Sequence, residues 1–435
     1  MQKAVSDGLL CYTVIQGACM KAFVKSVSVI LAVSLLFLLG ASAFAEDQSA
    51  EATVVSAGYD GLKKIEDRLY EIAYDSIDYG SGEAAFASGA LVAGAAGCSS
   101  VRNCNFYGRN LDWFFDDCVE VVVHTKAHNG RFATLGVAGA ISAICKTAID
   151  DKSINDKLDI IPFAIVDGVN ENGVFINVNV VPSYDLETPN TLIMPTGEVE
   201  ATVDSGMLVR YVLDNFGSAP EAVQYLQEHV SIQLNEGLKN LDFETHWMLG
   251  DEFHTYIIEM IDNKLVVQCA DKTSEDEIAG RPIMTNFYLN LPGVKLNEEG
   301  KVEINHDGKP NASGITPHGA GLERYNLAVD EYKGSDTFLG MLKLMYDLNY
   351  SRTYNIYLEE PWYSELTGGD VTNSSPIEDY TAIDKLLDNY RNRDRSKGLN
   401  SIWITTHTSI YDLSYRQLYL TVGEEMTGYR FTFAG

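Results

Sequence analysis

The sequence predicts an α+β or layered sandwich fold, and three observations support this prediction. Strand-like segments lie at residues 168–182 and, near the end of the chain, at residues 401–406 and 417–422. Helical blocks at residues 205–228 and 323–348 lie between them. The chain has no internal repeat. Strands that flank blocks of helices are typical of the α+β class.

The first 45 residues predict an export signal. A short basic stretch at residues 20–25 precedes an apolar core at residues 27–39 and the small residues Ala43 and Ala45. The apolar run is too short and wrongly flanked for a stable transmembrane helix. We therefore expect residues 1–45 to be removed at export, which would place the protein outside the cell, on its surface or in a periplasm.

Residues 46–97 are predicted to form a propeptide, or a short chain that stays attached after cleavage. Residues 46–57 are polar, and apolar residues at 62, 65, 69 and 72 predict a helix over residues 58–75. Residues 80–97 are rich in Gly, Ala and Ser, whose small side chains let a backbone enter a narrow cleft. The alternative is a plain linker. Residues 98–435 then form a second, larger domain.

The later elements follow from periodicity and turn residues. Asp167 to Gly173 are predicted to supply the turn of a hairpin whose second strand is residues 174–180. The second helix of the first block begins with Ser218 as N-cap, followed by Pro and Glu in its first turn. The remaining strands are predicted at residues 247–249, 255–260, 264–269 and 283–287, and the helices at residues 205–215, 220–228, 323–332 and 337–348.

The composition indicates which classes of partner and cofactor are not expected. The 435 residues carry a formal net charge of -29, which disfavours nucleic acid and anionic membrane surfaces. Cys104, Cys118, Cys145 and Cys269 have no metal-ligand spacing, and the sequence has no phosphate-binding loop. Neither a metal nor another cofactor is therefore expected. The sequence is compatible with a homo-oligomer.

The segment richest in chemistry is GCSS at residues 97–100, followed by YGRNLDW at residues 107–113. Two strands joined by a turn at residues 103–104 would pair Cys98 with Arg109, so the thiol would face a guanidinium. A nearby cation lowers a cysteine pKa and favours the thiolate at neutral pH. A lone cysteine in such a strand is more often a small buried residue. Cys104, in the predicted turn, is the rival nucleophile.

These residues resemble the N-terminal nucleophile cysteine hydrolases, which include choloylglycine hydrolase, penicillin V acylase and the acid ceramidase group. The resemblance covers Cys98 nearly to the C-terminus and includes a DG-x-NE-x-G pattern at residues 167–173. The spacing from Cys98 to Arg109 is shorter than the usual one in that family. The resemblance implies a four-layer αββα sandwich of two packed antiparallel sheets. It also implies that autocatalytic cleavage makes Cys98 the first residue of the catalytic chain.

The resemblance also implies further site residues. Asn286, in the segment IMTNF, is similar to the oxyanion-hole Asn of the family, and its alternative is an Asn that merely ends a strand. Arg324, in GLERY, is similar to an Arg that braces the nucleophile, and its alternative is a solvated Arg paired with Glu323 or Asp330. A second oxyanion donor falls near Val180. Asn177 and Asn179 would face the same side of a strand, and we favour Asn179.

The expected mechanism uses the α-amine of Cys98 as the base, so that no histidine is required. Arg109 would stabilise the thiolate. Asp112 would hold the amine, which requires a bulge at residues 110–111 to bring it to the face of Arg109. Histidines 246, 254, 318 and 407 have no spacing that ties them to Cys98.

The expected activity is hydrolysis of a small-molecule N-acyl amide with an apolar acyl part, through a thioester acyl-enzyme. A conjugated bile salt, penicillin V, an acyl homoserine lactone and a fatty-acid amide are all compatible substrates. Two other functions stay open: an acyltransferase of the same fold, and a non-catalytic surface binding protein.

Overall fold

The computed structural model describes residues 59–87, 97–114, 118–139, 158–185, 189–240, 242–270, 281–291, 294–304, 321–350 and 403–433. The strands are β1 (Tyr59–Glu66), β2 (Leu69–Tyr74), β3 (Gly97–Asn103), β4 (Phe106–Phe114), β5 (Glu120–Thr125), β6 (Thr134–Ala138), β7 (Ile165–Asn170), β8 (Phe175–Pro182), β9 (Leu192–Ile193), β10 (Ala201–Asp204), β11 (Val230–Gln233), β12 (Phe243–Gly250), β13 (Thr255–Ile261), β14 (Lys264–Cys269), β15 (Ile283–Met284), β16 (Val294–Leu296), β17 (Val302–Ile304), β18 (Trp403–Asp412), β19 (Gln417–Val422) and β20 (Tyr429–Thr432). The α-helices are α1 (Tyr79–Ala87), α2 (Leu208–Asn215), α3 (Ala219–His229), α4 (Glu236–Lys239), α5 (Leu322–Glu331) and α6 (Phe338–Asp347).

Two large sheets dominate the described residues. One has nine strands in the order β1-β2-β5-β6-β7-β8-β12-β13-β14, and the other has six in the order β15-β3-β4-β18-β19-β20. Neighbouring strands are antiparallel except for β2 and β5, which run parallel. The predicted α+β class is confirmed. The expectation of purely antiparallel sheets is wrong at this one pair.

Three apolar layers separate the elements. The outer face of the nine-stranded sheet packs on α2 and α3, for example Val123 and Ile176 on Leu213 and Leu226. The inner faces of the two sheets pack on each other through residues such as Val122, Phe175, Tyr107 and Leu420. The outer face of the six-stranded sheet packs on α5 and α6. The layers are therefore helix, sheet, sheet and helix.

The first hairpin corrects the predicted helix at residues 58–75. Strands β1 and β2 form an antiparallel pair that turns at Asp67 and Arg68, where Arg68 has a φ of 67°. The spacing of Leu62, Leu69 and Ile72 resembles a helical period because Leu62 lies in β1 and the other two residues lie in β2, across the turn. The pairing of these two strands is irregular. Within β2 the buried positions 70, 72 and 74 alternate, as expected of a strand.

The other corrections concern boundaries. Asp167 to Asn170 lie inside β7, so the turn before β8 is shorter than predicted, with Gly173 at a φ of 87°. Helix α2 begins three residues later than predicted, at Leu208, because residues 204–207 form a turn in which Met207 N donates to Asp204 O. The predicted strand at residues 283–287 is limited to β15. Residues 1–58, which include the predicted export signal, lie outside the described residues.

Candidate active site

Strands β3 and β4 form the hairpin that carries Cys98 and Arg109, but in a different register from the predicted one. Cys98 pairs with Leu111, and Ser100 pairs with Arg109. The turn lies at Cys104 and Asn105, with Cys104 at a φ of 50°. Asn103 stays in the strand because its amide donates to Tyr332 O at 2.7 Å and to the hydroxyl of Ser335. The predicted pairing of Cys98 with Arg109 is therefore wrong by two residues.

The thiol and the guanidinium nevertheless meet. Cys98 and Ser100 lie on one face of β3, so Arg109 is the diagonal neighbour of Cys98, within reach of a long side chain. Arg109 Nη2 lies 3.5 Å from Cys98 Sγ. Both side chains are completely buried. Cys104, the rival nucleophile, lies at the other end of β3, in the turn.

Arg109 is fixed by two further oxygens and by a group of polar side chains. Nη2 donates to Val178 O at 3.0 Å, and Nη1 donates to Asp167 Oδ2 at 2.9 Å. Asp167 also accepts from Ser409 at 3.0 Å and from Tyr411 at 2.5 Å, and its Oδ2 lies 3.2 Å from His407 Nε2.

Neither Asp167 nor His407 was predicted to lie in the site. These residues come from β7 and β18, which are far apart in the chain, so only the packing of the two sheets brings them together. The one usable signal was the DG-x-NE-x-G pattern, which begins at Asp167.

Burial dominates the electrostatics of Cys98. Its pKa is raised to about 11 because the buried thiolate loses its hydration, while Arg109 and Arg324 oppose the rise only in part. The expectation that Arg109 gives a thiolate at neutral pH is therefore wrong for the chain in which Gly97 and Cys98 are joined. In this state Cys98 is a protonated thiol.

Asp112 lies on the opposite face of β4 from Arg109. The predicted bulge at residues 110–111 does not occur in β4, and the irregularity lies instead in β18, between Thr405 and His407. Asp112 forms a short ion pair with Arg324 and accepts from Thr405 Oγ1 at 2.7 Å. Burial raises its pKa to about 7, although Arg324 and Thr405 lower it.

Asn286 connects this ion pair to the nucleophile. Its Oδ1 accepts from the backbone N of Cys98 at 2.8 Å and from Arg324 Nη2 at 2.7 Å. Its Nδ2 donates to Val180 O at 2.6 Å. The side chains of Asp112, Arg324 and Asn286 thus form a continuous series that ends at the main chain of Cys98. Arg324 is buried, so the alternative of a solvated helix Arg is wrong.

A glycine allows Arg324 to reach Asn286. Gly321, which precedes α5, has a φ of 81°, a conformation that L residues rarely adopt. A Cβ at this position would lie 2.9 Å from Thr285 and 3.1 Å from Asn286 N. The segment that contains Asn286 is held further by His246, whose Nε2 lies 2.7 Å from Thr285 O. His318 lies outside the described residues.

Asn177 and Asn179 both face β3, as predicted from their shared strand face. Asn177 Nδ2 lies 2.9 Å from Ser100 Oγ and 2.9 Å from Asn179 Oδ1. Asn179 Nδ2 donates to Thr285 O at 3.2 Å, which places it beside Asn286. The geometry therefore brings Asn179, rather than Asn177, next to the other predicted oxyanion residue.

The described residues contain neither a metal-binding cluster nor a membrane-spanning helix. Within the ranges given above, no group of three or more His, Cys, Asp or Glu side chains could hold a metal ion. No helix in this part of the chain is long and apolar enough to cross a membrane.

Comparison with known proteins gives a match that begins at Cys98 itself. Residues 98–273 match the family model of linear amide C–N hydrolases, choloylglycine hydrolase family. Residues 98–273 belong to this family. The protein is therefore a hydrolase of carbon–nitrogen bonds, other than peptide bonds, in linear amides. The match ends before Asn286 and Arg324, which the resemblance in the sequence had also included.

Solved structures and curated proteins were also compared. A mutant of the conjugated bile acid hydrolase from Clostridium perfringens is 13% identical, over 77% of this chain and 92% of that chain, with a TM-score of 0.36. The penicillin V acylase from Agrobacterium tumefaciens is 14% identical, over 77% of this chain and 84% of that chain, with a TM-score of 0.32. A search of curated protein sequences gave no match.

Proposed function

We propose that the protein is an exported amidohydrolase whose nucleophile is Cys98, released by autocatalytic cleavage of the bond between Gly97 and Cys98. The observation that carries this proposal is that the family match begins at residue 98, at the thiol next to which the guanidinium of Arg109 lies. A nucleophile at the first residue of the catalytic chain explains why similarity begins there.

The cleavage step uses groups that are already in place. Sγ of Cys98 attacks the carbonyl carbon of Gly97 and a C–S bond forms. The thiol proton passes to the nitrogen of Cys98, and the peptide C–N bond breaks to leave a thioester and a free amine. Water then hydrolyses the thioester and leaves Gly97 with a carboxylate. Asn286 Oδ1 accepts from the nitrogen of Cys98 at 2.8 Å, which orients the bond to be broken.

The amine created by this cleavage supplies the base for the amidase reaction. An α-amine has an ordinary pKa of about 7.7–8.0, so it can take the thiol proton near neutral pH. Gly97 pairs with Asp112 in the joined chain, so the new amine forms beside Asp112. The thiolate attacks the substrate carbonyl, Asn179 and Asn286 donate to the oxyanion, and water releases the acid from the thioester.

We further propose that the segment upstream of the cleavage site stays bound. Strand β2 pairs with β5 over six residues, and together with β1 it forms one end of the nine-stranded sheet. Tyr70, Ile72 and Tyr74 are buried in the same apolar cluster as residues of α2 and α3. Removing this segment would expose both an apolar surface and the hydrogen-bonding edge of β5. The mature enzyme would then consist of two chains.

We propose that the substrate is a linear amide with an apolar acyl part. Conjugated bile salts, penicillin V, acyl homoserine lactones and fatty-acid amides share that bond and that character. Export rests on the signal-like residues 1–45, and removal of this segment would leave Glu46 as the first residue of the upstream chain.

The first prediction tests the nucleophile. We expect Cys98→Ser to abolish turnover and to slow cleavage at residue 97, because a hydroxyl is a weaker nucleophile than a thiolate at neutral pH. Cys104→Ser, at the far end of the same strand, should behave as wild type. The measurements are intact mass, N-terminal sequencing and hydrolysis of a panel of bile-acid conjugates, penicillin V, acyl homoserine lactones and N-acylethanolamines, with and without EDTA.

Two outcomes would overturn the proposal. Fully active protein in which no chain begins at Cys98 would exclude the α-amine as the base. Activity that EDTA removes would exclude the metal-independent thiol mechanism. If the processed enzyme hydrolyses none of the panel but transfers acyl groups to added amines, the acyltransferase takes its place.

A further inference from the structure

A row of alternating charges is buried between the two sheets, and it starts at the nucleophile. Arg109 Nη2 lies 3.5 Å from Cys98 Sγ, and Arg109 Nη1 lies 2.9 Å from Asp167 Oδ2. Asp167 Oδ2 lies 3.2 Å from His407 Nε2, and His407 Nδ1 lies 3.0 Å from Glu120 Oε2. Arg109, Asp167, His407 and Glu120 are all completely buried. The reaction proposed above uses only Arg109 from this row.

The geometry of His407 defines its protonation. Each ring nitrogen faces a carboxylate oxygen, and an ionised carboxylate can only accept a hydrogen bond. A proton on each ring nitrogen would face a carboxylate oxygen, and this arrangement favours the imidazolium. Burial alone would lower the pKa of His407, but the two carboxylates outweigh this effect and raise it.

We propose that His407, held as an imidazolium by Glu120, offsets the charge of Asp167 and so leaves the charge of Arg109 available to the thiolate of Cys98. His407 is then a positioning residue that acts through Asp167 and Arg109. This inference rests on the proposed role of Cys98 as the nucleophile.

The physical reason is the sharing of Asp167 between two cations. If Arg109 were its only ionic partner, the negative charge of Asp167 would cancel most of the field of Arg109 at Cys98. A second cation on the same carboxylate oxygen reduces that cancellation. His407 Nε2 also lies 3.4 Å from Arg109 Nη1, so the ring and the guanidinium share Asp167 Oδ2 at close range.

The surroundings of the ring support this function. The charged groups next to the ring are Arg109 from β4, Glu120 from β5 and Asp167 from β7. Tyr411 from β18 donates to Asp167, and Tyr107 from β4 also lies near Asp167. Gly139 closes the remaining side, where a Cβ would lie 2.8 Å from the ring and 2.9 Å from Glu120 Oε2. Only a residue without a side chain allows the ring and the carboxylate to pack this closely.

The experiment measures the pKa of Cys98 in the processed enzyme. The rate at which iodoacetamide alkylates Cys98 is followed by mass spectrometry from pH 5 to pH 10. We expect His407→Gln to raise the midpoint of this curve by about one pH unit, which makes alkylation about tenfold slower below the midpoint. Glu120→Gln, which keeps the ring in place, should shift the midpoint in the same direction by less.

The matched control is His124→Gln. His124 is also a histidine paired with a carboxylate, 3.1 Å from Glu71, but it lies in an ion pair away from Cys98. Its replacement should leave the midpoint unchanged. In an Asp167→Asn background, His407→Gln should have little further effect, because the charge that it offsets is gone.

Arg109→Ala separates this inference from the proposed function. If Arg109→Ala raises the midpoint but folded His407→Gln and Glu120→Gln do not, the positioning role of His407 is overturned while the function of Cys98 stands. If Cys98→Ser retains turnover, the proposed function itself fails. A shift in His407→Gln that is equally large in the Asp167→Asn background would show that the ring does not act through Asp167, and would also overturn the inference.

Discussion

At Cys98, burial and neighbouring charge act in opposite directions. The thiol is completely buried, and this raises its pKa to about 11 in spite of Arg109 and Arg324. At pH 7 a group with that pKa is ionised in only about one molecule in ten thousand. The joined chain is therefore suited to be an inactive precursor, and activation requires the new amine and access of solvent after cleavage.

Some of the site could be predicted from single residues. The contact of Cys98 with Arg109 was expected, and it survives a register error of two residues because an Arg side chain spans a diagonal pair. Asp112 was placed on the wrong face, since its face depends on whether β4 contains a bulge. No local pattern indicates that His407 lies beside Asp167.

The choice between two asparagines gives a prediction at this scale. We expect Asn179→Ala to lower kcat by on the order of a hundredfold, as is typical when one oxyanion donor is lost. Asn179 Nδ2 lies 3.2 Å from Thr285 O, next to Asn286, whereas Asn177 Nδ2 contacts Ser100 and Asn179. Steady-state kinetics on a substrate found in the panel provides the measurement.

Asn177→Ala is the matched control, since it removes the same group from the same face of β8. It should reduce kcat by less than Asn179→Ala. If Asn177→Ala is the more damaging substitution and both variants fold, Asn177 is the donor and the preference for Asn179 is wrong.

At the scale of elements, the fold class was predicted more accurately than the register of the strand pairs. The strands predicted at residues 255–260 and 264–269 correspond to β13 and β14 to within one residue. The β1–β2 hairpin was mistaken for a helix because its apolar spacing combined two strands across a turn. The apolar pattern leaves the strand register open, and side-chain hydrogen bonds determine it. The hydrogen bonds of Asn103 to Tyr332 and Ser335 keep Asn103 in β3, so the turn lies one residue later than predicted.

The attachment of α1 gives a prediction at the scale of elements. Tyr79 OH donates to the buried Asp214 at 2.6 Å, and the guanidinium carbon of Arg131 lies 3.7 Å from the centre of the Tyr79 ring. We expect the chain upstream of Cys98 to co-elute with the catalytic chain after cleavage. Tyr79→Phe should weaken this association by about 1–2 kcal/mol, because Asp214 loses a buried donor.

Size-exclusion chromatography in increasing urea measures that association. Tyr415→Phe is the control, since Tyr415 is 76% exposed and its hydroxyl has no comparable buried partner among the described residues. Complete separation of the two chains without urea would show that the upstream segment is a propeptide that leaves.

The whole molecule combines a strongly acidic composition with ion pairs buried between its layers. The 435 residues carry a net charge of -29, and the effect of exposed charges on a single site is screened by salt. The enclosed pairs, Arg109 with Asp167 and Arg324 with Asp112, are shielded from salt and lie on opposite faces of the same strand. Breaking either pair leaves an uncompensated buried charge, so both constrain how the sheets and α5 pack.

Asp112 therefore gives the stability of the molecule a dependence on pH. Its pKa of about 7 in the folded chain is above its ordinary value of 3.8, so the folded state binds the proton more tightly than the unfolded state. The stabilisation from this proton is fully present below about pH 4 and is lost as the pH rises through about 7, by up to about 4 kcal/mol. Asp112→Asn cannot titrate and should lack this contribution. We expect the thermal midpoint of wild type, relative to that of Asp112→Asn, to fall between pH 5 and pH 8, as measured by circular dichroism at constant ionic strength. Parallel curves for the two proteins would mean that Asp112 is already ionised at pH 5, held so by Arg324.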